Sequence, residues 1–280
     1  MHARNICPDA KIIVETEQNI YRRLPVPFSA IQTYSLTHCD FVVGRSREAI
    51  EVVRRKGYAG DARVVPNAVD CELFYPLPSG SRASLRSEFG WGGADVFVLG
   101  YAGRLVAEKG LADAVAALSQ GPSQAHLVFV GDGPCRQDLI DMATSLGVSE
   151  RVHFVGACPQ VELPRYINSF DALVLPSRTT TTWKEQFGRV LIEAGACAVP
   201  SIGSDSGAIP DVIGEGGLTF HEGDVDDFAR CVRVMVDDRA LCAQYGDAAF
   251  KQAHGLYSWK QVASNMHDIY QSLESGTTTP

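Results

Sequence analysis

Between residues 95 and 255 short apolar runs alternate with helical stretches, and this alternation limits the fold more than any other property of the 280-residue chain. Apolar runs predict strands over 96–101, 126–130, 152–155, 172–175, 199–202 and 218–220. Helices are predicted between them, over 111–118, 135–145, 160–170, 187–196 and 209–213. Repeated strand–helix–strand units predict a parallel, doubly wound sheet with right-handed crossovers. Ligands of such a sheet bind outside the carboxyl ends of its strands. The residues that follow each strand are therefore where chemistry is to be sought.

The first 75 residues predict a strand over 11–15, a helix over 29–38 and a second strand over 40–43. The unbroken run Phe41-Val42-Val43 asks for burial on both faces. Ser46 is an expected N-cap of a helix ending at Gly57, and a third strand over 63–65 is closed by Pro66. The expected fold class is thus α/β: one complete doubly wound Rossmann-like domain over 95–255 and a partial one over 1–75. The Gly- and Pro-rich stretch 76–94, with a short helix over 83–89, is expected as a linker. The remaining stretches 225–236, 239–254 and 258–273 are expected to be helical, with 256–280 as a C-terminal helix and tail. Three parallel strands alone leave an edge and a face open. The first domain is expected to be a fragment, to be completed by a partner, or to be shortened.

Two strand-end loops carry the charged residues. After 172–175, a hydroxyl-rich loop leads to Glu185, then Phe187-Gly188-Arg189, the apolar run Val190-Leu191-Ile192, and Glu193. A helix starting near Phe187 would aim free backbone N–H groups at the strand ends, where an anion is favoured. Glu193 would fall about 7.5 Å further along, at about 1.5 Å per residue. The N–H groups would take a phosphate, and the carboxylate would accept from a pair of ribose hydroxyls. After 96–101, Gly103 lets backbone approach a ligand, while Arg104 and Lys109 offer a planar fork and a point charge for a diphosphate. Each residue also has a plainer reading. Arg104 and Lys109 serve equally as solvated cations, Glu185 as a surface carboxylate favoured by a helix dipole, and Glu193 as a half-buried helix-face group. Gly131-Asp132-Gly133-Pro134 serves as a tight turn with Pro134 at the first helical position, Phe154-Val155-Gly156 as a strand end, and Ser206 as an N-cap.

The block WKEQFGRVLIEAGACAVPSIGSDSGAIPDVI, with seven residues between Glu185 and Glu193, closely resembles retaining nucleotide-sugar glycosyltransferases of the two-Rossmann type (GT-B), family 4. G-R-L-x-x-E-K-G over 103–110 resembles the family's phosphate segment, and 131–134 its G-x-G-P turn. DFVVGRSREAIEVVRRKGY and RVVPNAVDCELFYP are similar to the end of its first domain. Ala198 and Ala208 stand where the family often has Gly, small-for-small changes expected to cost little, and Asn67-Ala68 replaces Asn-Gly. The family's Gly-rich loop and acceptor-side histidine would lie ahead of Met1; His2 and His38 match no motif.

The resemblance implies transfer of a sugar, with retention, from a nucleoside diphosphate to an acceptor hydroxyl. Its implied catalytic residues are Glu185, Arg104 and Lys109. Its implied donor-binding residues are Gly103, Phe154, Gly156, Phe187, Gly188, Arg189, Val190 and Glu193. No cofactor and no metal are expected; the substrate would be a UDP- or GDP-sugar and the acceptor a glycan, glycolipid or small metabolite. The alternative is a nucleotide-sugar-binding fragment or subunit, inactive without a missing N-terminal half. A nicotinamide dehydrogenase is disfavoured, because G-x-G-x-x-G does not follow the strand at 96–101.

Charge narrows the partners. With 33 acidic against 25 basic residues, a net charge of −8 argues against nucleic acid. Arg54-Arg55-Lys56 reads as a solvated helix face or a local contact with anionic lipid. No apolar run approaches the roughly 20 residues that cross a bilayer, and MHARNICPDAK holds no signal core. Eight scattered cysteines without a C-x-x-C pair read as reduced thiols. The expected location is the cytoplasm, with peripheral attachment at the inner membrane face or self-association through the incomplete first domain as further expectations.

Overall fold

A computed structural model describes residues 7–78, 80–93 and 95–275. The chain divides into two units, one holding the described residues up to Asn67 and from Lys260 onward, the other Ala68–Trp259. Both are α/β with parallel sheets, the class expected.

In the first unit β1 (Ile13–Thr16), α1 (Phe28–His38), β2 (Phe41–Gly44), α2 (Arg47–Arg55) and β3 (Asp61–Val64) follow in order. The strands pair in parallel as β1-β2-β3, with Val14 opposite Val42 and Val43 opposite Arg63. Val42 and Val43 are fully buried, as their apolar run requires. Ser46 caps α2, its Oγ accepting from Ala49 N at 3.2 Å.

The second unit opens with α3 (Ser81–Phe89) and then runs β4 (Phe97–Ala102), α4 (Leu111–Gln120), β5 (Ala125–Val130), α5 (Arg136–Ser145), β6 (Val152–Gly156), α6 (Leu163–Ser169), β7 (Ala172–Leu175), α7 (Arg189–Ala196), β8 (Ser201–Ser204), α8 (Ile209–Ile213), β9 (Gly217–Phe220), α9 (Val225–Asp237) and α10 (Arg239–Gln252). One further helix, α11 (Trp259–Ser275), passes from Lys260 into the first unit and buries Val262 and Ile269. The six-stranded sheet is parallel in the order β6-β5-β4-β7-β8-β9. Numbered within the unit that is 3-2-1-4-5-6, the dinucleotide-binding order, and its direction reverses between β4 and β7. In sheets of this order ligands bind outside the carboxyl ends of the strands flanking the reversal, here β4 and β7.

Several boundaries differ from expectation for identifiable reasons. The fifth strand lies at Ser201–Ser204 rather than 199–202, because Ala198 turns at φ 55° and Pro200 has no N–H to donate. Ala198 is thus a left-handed non-glycine residue, and its exchange for Gly is not the inexpensive one expected: the strain costs about 1–2 kcal/mol. Helix α7 starts at Arg189 rather than Phe187 because Gly188 takes φ +79°. The described residues of the stretch 76–94, expected as a linker, belong to the larger unit: Leu77 N donates to Asn168 Oδ1 at 2.9 Å and Trp91 is buried in the core. Arg86 holds the buried Asp171 at 2.7 Å, with Arg82 and Arg239 at 3.4 and 3.3 Å.

Candidate active site

The loops leaving β4, β5 and β6 lie backbone on backbone. A Cβ on Gly131 would sit 1.8 Å from the Gly103 carbonyl oxygen, and one on Gly133 2.4 Å from that of Leu105. Gly103 N donates to Val130 O at 2.9 Å and Gly131 N to Gly156 O at 2.8 Å. The 131–134 turn is therefore built for close approach. Pro134 precedes α5, which begins at Arg136, instead of standing at its first position.

The β4 and β7 loops interlock in the same way. Gly110, at φ +63°, places the position of a Cβ 1.9 Å from Pro176 O, and Arg178 N donates to Glu108 O at 2.9 Å. This brings Lys109 to Glu185, with Nζ 2.6 Å from Oε2. Ser177 Oγ donates to the same oxygen at 3.0 Å, and the Trp183 ring centroid is 4.8 Å from Lys109 Nζ. Glu185 is 7% exposed, so it is not a surface carboxylate. Its backbone is gripped by the loop after β8: Ala208 N donates to Glu185 O at 3.3 Å, and a Cβ on Gly207 would lie 1.9 Å from that oxygen.

Arg104 is exposed, and its guanidinium makes no hydrogen bond or ion pair among the described residues. Its carbonyl accepts from the Tyr101 hydroxyl at 2.8 Å. Burial pushes that phenol up, Glu185 adds to the effect and Arg104 opposes it, so both charges act on one hydroxyl. Glu193 lies a turn into α7 and accepts from Gln160 Nε2 at 3.3 Å. Burial raises its pKa, while Gln160 and Arg189 pull it down. Phe187 is buried edge-on to Tyr257 at 5.7 Å; Arg189 is exposed and Val190 half-buried at the helix start. Phe154 stacks on Phe129 at 5.1 Å, and Gly156 turns at φ +89°.

The structure thus joins Lys109 to Glu185 directly, and Gly103 to Gly156 through Gly131. Among the described residues neither Arg104 nor Glu193 bonds to the Lys109–Glu185 pair. Ser177, Trp183 and Gln160 were not anticipated; the position of Ser177 directly behind a strand was the one signal in the sequence. Ser206 does not cap α8, whose N-cap is Ala208; its hydroxyl instead meets Thr179 Oγ1 at 2.9 Å. The spacing Asp224-Val225-Asp226 has the form of an acidic metal motif, but Asp224 caps α9 by accepting from Asp227 N at 2.9 Å. Among the described residues no three His, Cys, Asp or Glu side chains group to hold a metal, and no helix is long and apolar enough to cross a membrane.

Residues 90–252 match the family described as glycosyl transferases group 1. The chain belongs to this family. It is 32% identical over 212 residues to a GDP-mannose-dependent alpha-(1-6)-phosphatidylinositol monomannoside mannosyltransferase of Mycolicibacterium smegmatis, covering 73% of this chain and 55% of that protein. It is 30% identical over 255 residues to D-inositol 3-phosphate glycosyltransferase 1 of Catenulispora acidiphila, covering 85% and 59%. The chain spans about half the length of the curated relatives it matches. Among solved structures, sucrose-phosphate synthase of Thermosynechococcus elongatus matches at 25% identity and TM-score 0.77, over 94% of this chain and 68% of that one. Anabaena HepE in complex with UDP matches at 23% and 0.81, over 97% and 74%, a likeness of fold alone. The group 1 family match includes the loops after β4 and β7 and the whole of α7.

Proposed function

We propose that this group 1 member provides the donor site for transfer of a sugar from UDP or GDP to an acceptor hydroxyl, with retention at the anomeric carbon and without a metal. The observation that carries the reading is the Lys109 ammonium held 2.6 Å from the buried Glu185 carboxylate at the reversal of strand order. Lys109 and Arg104 would meet the diphosphate, whose charge grows as its bond to the sugar breaks, which is where preorganised cations act. The backbone N–H groups at the start of α7 add donors. Glu193 would accept from the ribose hydroxyls, the β6 end would meet the base, and Glu185 would lie beside the sugar. The bond from C1 to the diphosphate oxygen breaks, the bond from C1 to the acceptor oxygen forms on the same face, and the acceptor's proton passes to the departing oxygen. The GDP-mannose dependence in the Mycolicibacterium relative's name supports a GDP donor. The acceptor is a glycan, glycolipid or small metabolite, met in the cytoplasm or at the inner membrane face.

A thermal-shift and calorimetric panel of UDP, GDP, ADP and dTDP with their sugars tests this. A bound donor at a hundredfold excess over its Kd should raise apparent stability by about 2.7 kcal/mol. The reading fails if no diphosphate binds more tightly than its parent nucleoside, or if Arg104→Ala and Lys109→Ala bind it as the wild type does.

A further inference from the structure

We propose that Trp183 is a positioning residue of the donor site: its indole face fixes the Lys109 ammonium against Glu185 and so aims that cation at the diphosphate. The inference rests on the donor-site reading above. Lys109 Nζ lies over the Trp183 ring, 4.8 Å from its centroid, and 2.6 Å from Glu185 Oε2, so a ring and a carboxylate both contact it. Indole is the best of the aromatic faces for a cation held within about 6 Å. It shields one side of the ammonium from water without consuming a hydrogen-bond donor. A lysine carries three rotatable donors on a flexible stem. One carboxylate leaves that stem free to pivot; a second contact restricts it.

The loop carrying Trp183 is tied at every level. Thr180 N donates to Trp183 O at 2.7 Å and Trp183 N to Thr180 Oγ1 at 2.9 Å, which closes a four-residue turn. Behind it, Thr179 N donates to Glu222 Oε2 at 2.7 Å while its hydroxyl meets Ser206. One residue further back, Arg178 grips the buried Asp113 with two bonds, at 2.6 and 2.5 Å. Glu185 is already placed by Ser177 and by the loop after β8, so these ties are not needed to set the carboxylate. What they fix in addition is the indole, and the indole stands over Lys109.

The test uses the full chain with Trp183→Leu, which keeps apolar bulk without a ring, and Trp183→Phe, which keeps a ring. Calorimetry with GDP and UDP, against guanosine and uridine as controls, reads the effect. Trp183→Leu should weaken diphosphate binding by about 2- to 30-fold and leave the nucleosides unchanged, with Trp183→Phe recovering most of the loss. In a Lys109→Met background Trp183→Leu should change diphosphate binding by less than about twofold. If Trp183→Leu binds as the wild type does, weakens nucleoside and diphosphate alike, or costs as much without Lys109, the indole does not act through that lysine and the proposal is overturned. If neither GDP nor UDP binds the wild type, the donor-site reading falls and takes this proposal with it. Should Trp183→Leu not fold, the ε-methylene resonances of the wild type decide. One lysine should be shifted upfield by the indole ring current and be lost in Lys109→Met; no shifted lysine overturns the proposal.

Discussion

Replacing Lys109 by Met removes the counter-charge of Glu185 while keeping most of the stem's volume. Two unit charges 2.6 Å apart attract by about 6 kcal/mol at an effective dielectric constant of about 20. Much of that attraction offsets the desolvation of both groups, and breaking a fully buried pair costs about 3–5 kcal/mol. Here the Lys109 side chain is 20% exposed and the Glu185 side chain 9%. Glu185 also keeps its bond from Ser177, so the cost falls below that range and Lys109→Met should cost about 2–3 kcal/mol. At about 2–4 °C per kcal/mol for a unit of this size, Tm should fall by about 4–12 °C. Of the chain's three tryptophans Trp91 and Trp183 lie within the larger unit and Trp259 at its boundary, so fluorescence of a Trp259→Phe background follows the relevant transition. Glu185→Gln should cost less, because a freed Lys109 can reach water. The double variant should be more stable than the sum of the singles predicts, by at least about 1 kcal/mol. Additive losses, or a Lys109→Met protein within about 0.5 kcal/mol of wild type in urea titrations, would refute a coupled pair.

Glu193 has a raised pKa through burial, so its contribution to stability is fully present below its unfolded value of about 4.3 and is lost as pH rises through the folded value. Glu193→Gln should therefore raise Tm at pH 7 and remove that part of the slope, while weakening nucleotide binding in calorimetry. Gly110→Ala would drive a Cβ to 1.9 Å from Pro176 O at a left-handed position, and denaturant titration should show a loss of about 3–5 kcal/mol. Ala198→Gly relieves a φ of 55° and should stabilise by about 1 kcal/mol in the same assay. His126 Nδ1 and His153 Nε2 stand 3.1 Å apart, and burial lowers both pKa values, with each other's proximity and Arg151 adding at His126. Their contribution is present above the unfolded value of about 6.5 and lost as pH falls through the folded ones; His153→Gln should flatten the pH dependence of Tm below pH 6.5.

The larger unit was legible wherever burial and period agreed. Val96 to Tyr101 differs from the observed β4 by one residue, and Ala172–Leu175 is β7 as expected, because an apolar strand flanked on both sides leaves no other register. The strand Ser201–Ser204 was misplaced because three of its four residues, Ser201, Gly203 and Ser204, are polar or small, yet all four are buried. Ser204 Oγ is satisfied there by donating to Ser177 O at 2.5 Å, a tertiary bond that no periodicity signals. In the site, Lys109 and Glu185 were legible as chemical types but not as partners. They are 76 residues apart, and no local pattern states that two strand-end loops will interlock. Trp183 was invisible for the same reason: its role depends on what Lys109 is doing in the other loop.

That interlocking also decides which part of the site a mutation can reach. The loops after β4, β7 and β8 are held by main-chain contacts, Gly110 against Pro176 O, Arg178 N on Glu108 O, and Gly207 against Glu185 O. The ion pair is therefore laid on a frame that stands without it, and neutralising both charges should leave the backbone in place while removing the counter-charge proposed for the diphosphate. Substitutions at the glycines act in reverse: they carry no charge to lose, yet each forces two loops apart and should separate Lys109 from Glu185. Loss of diphosphate affinity with the fold intact in the first class, and loss of both together in the second, is the pattern this arrangement demands.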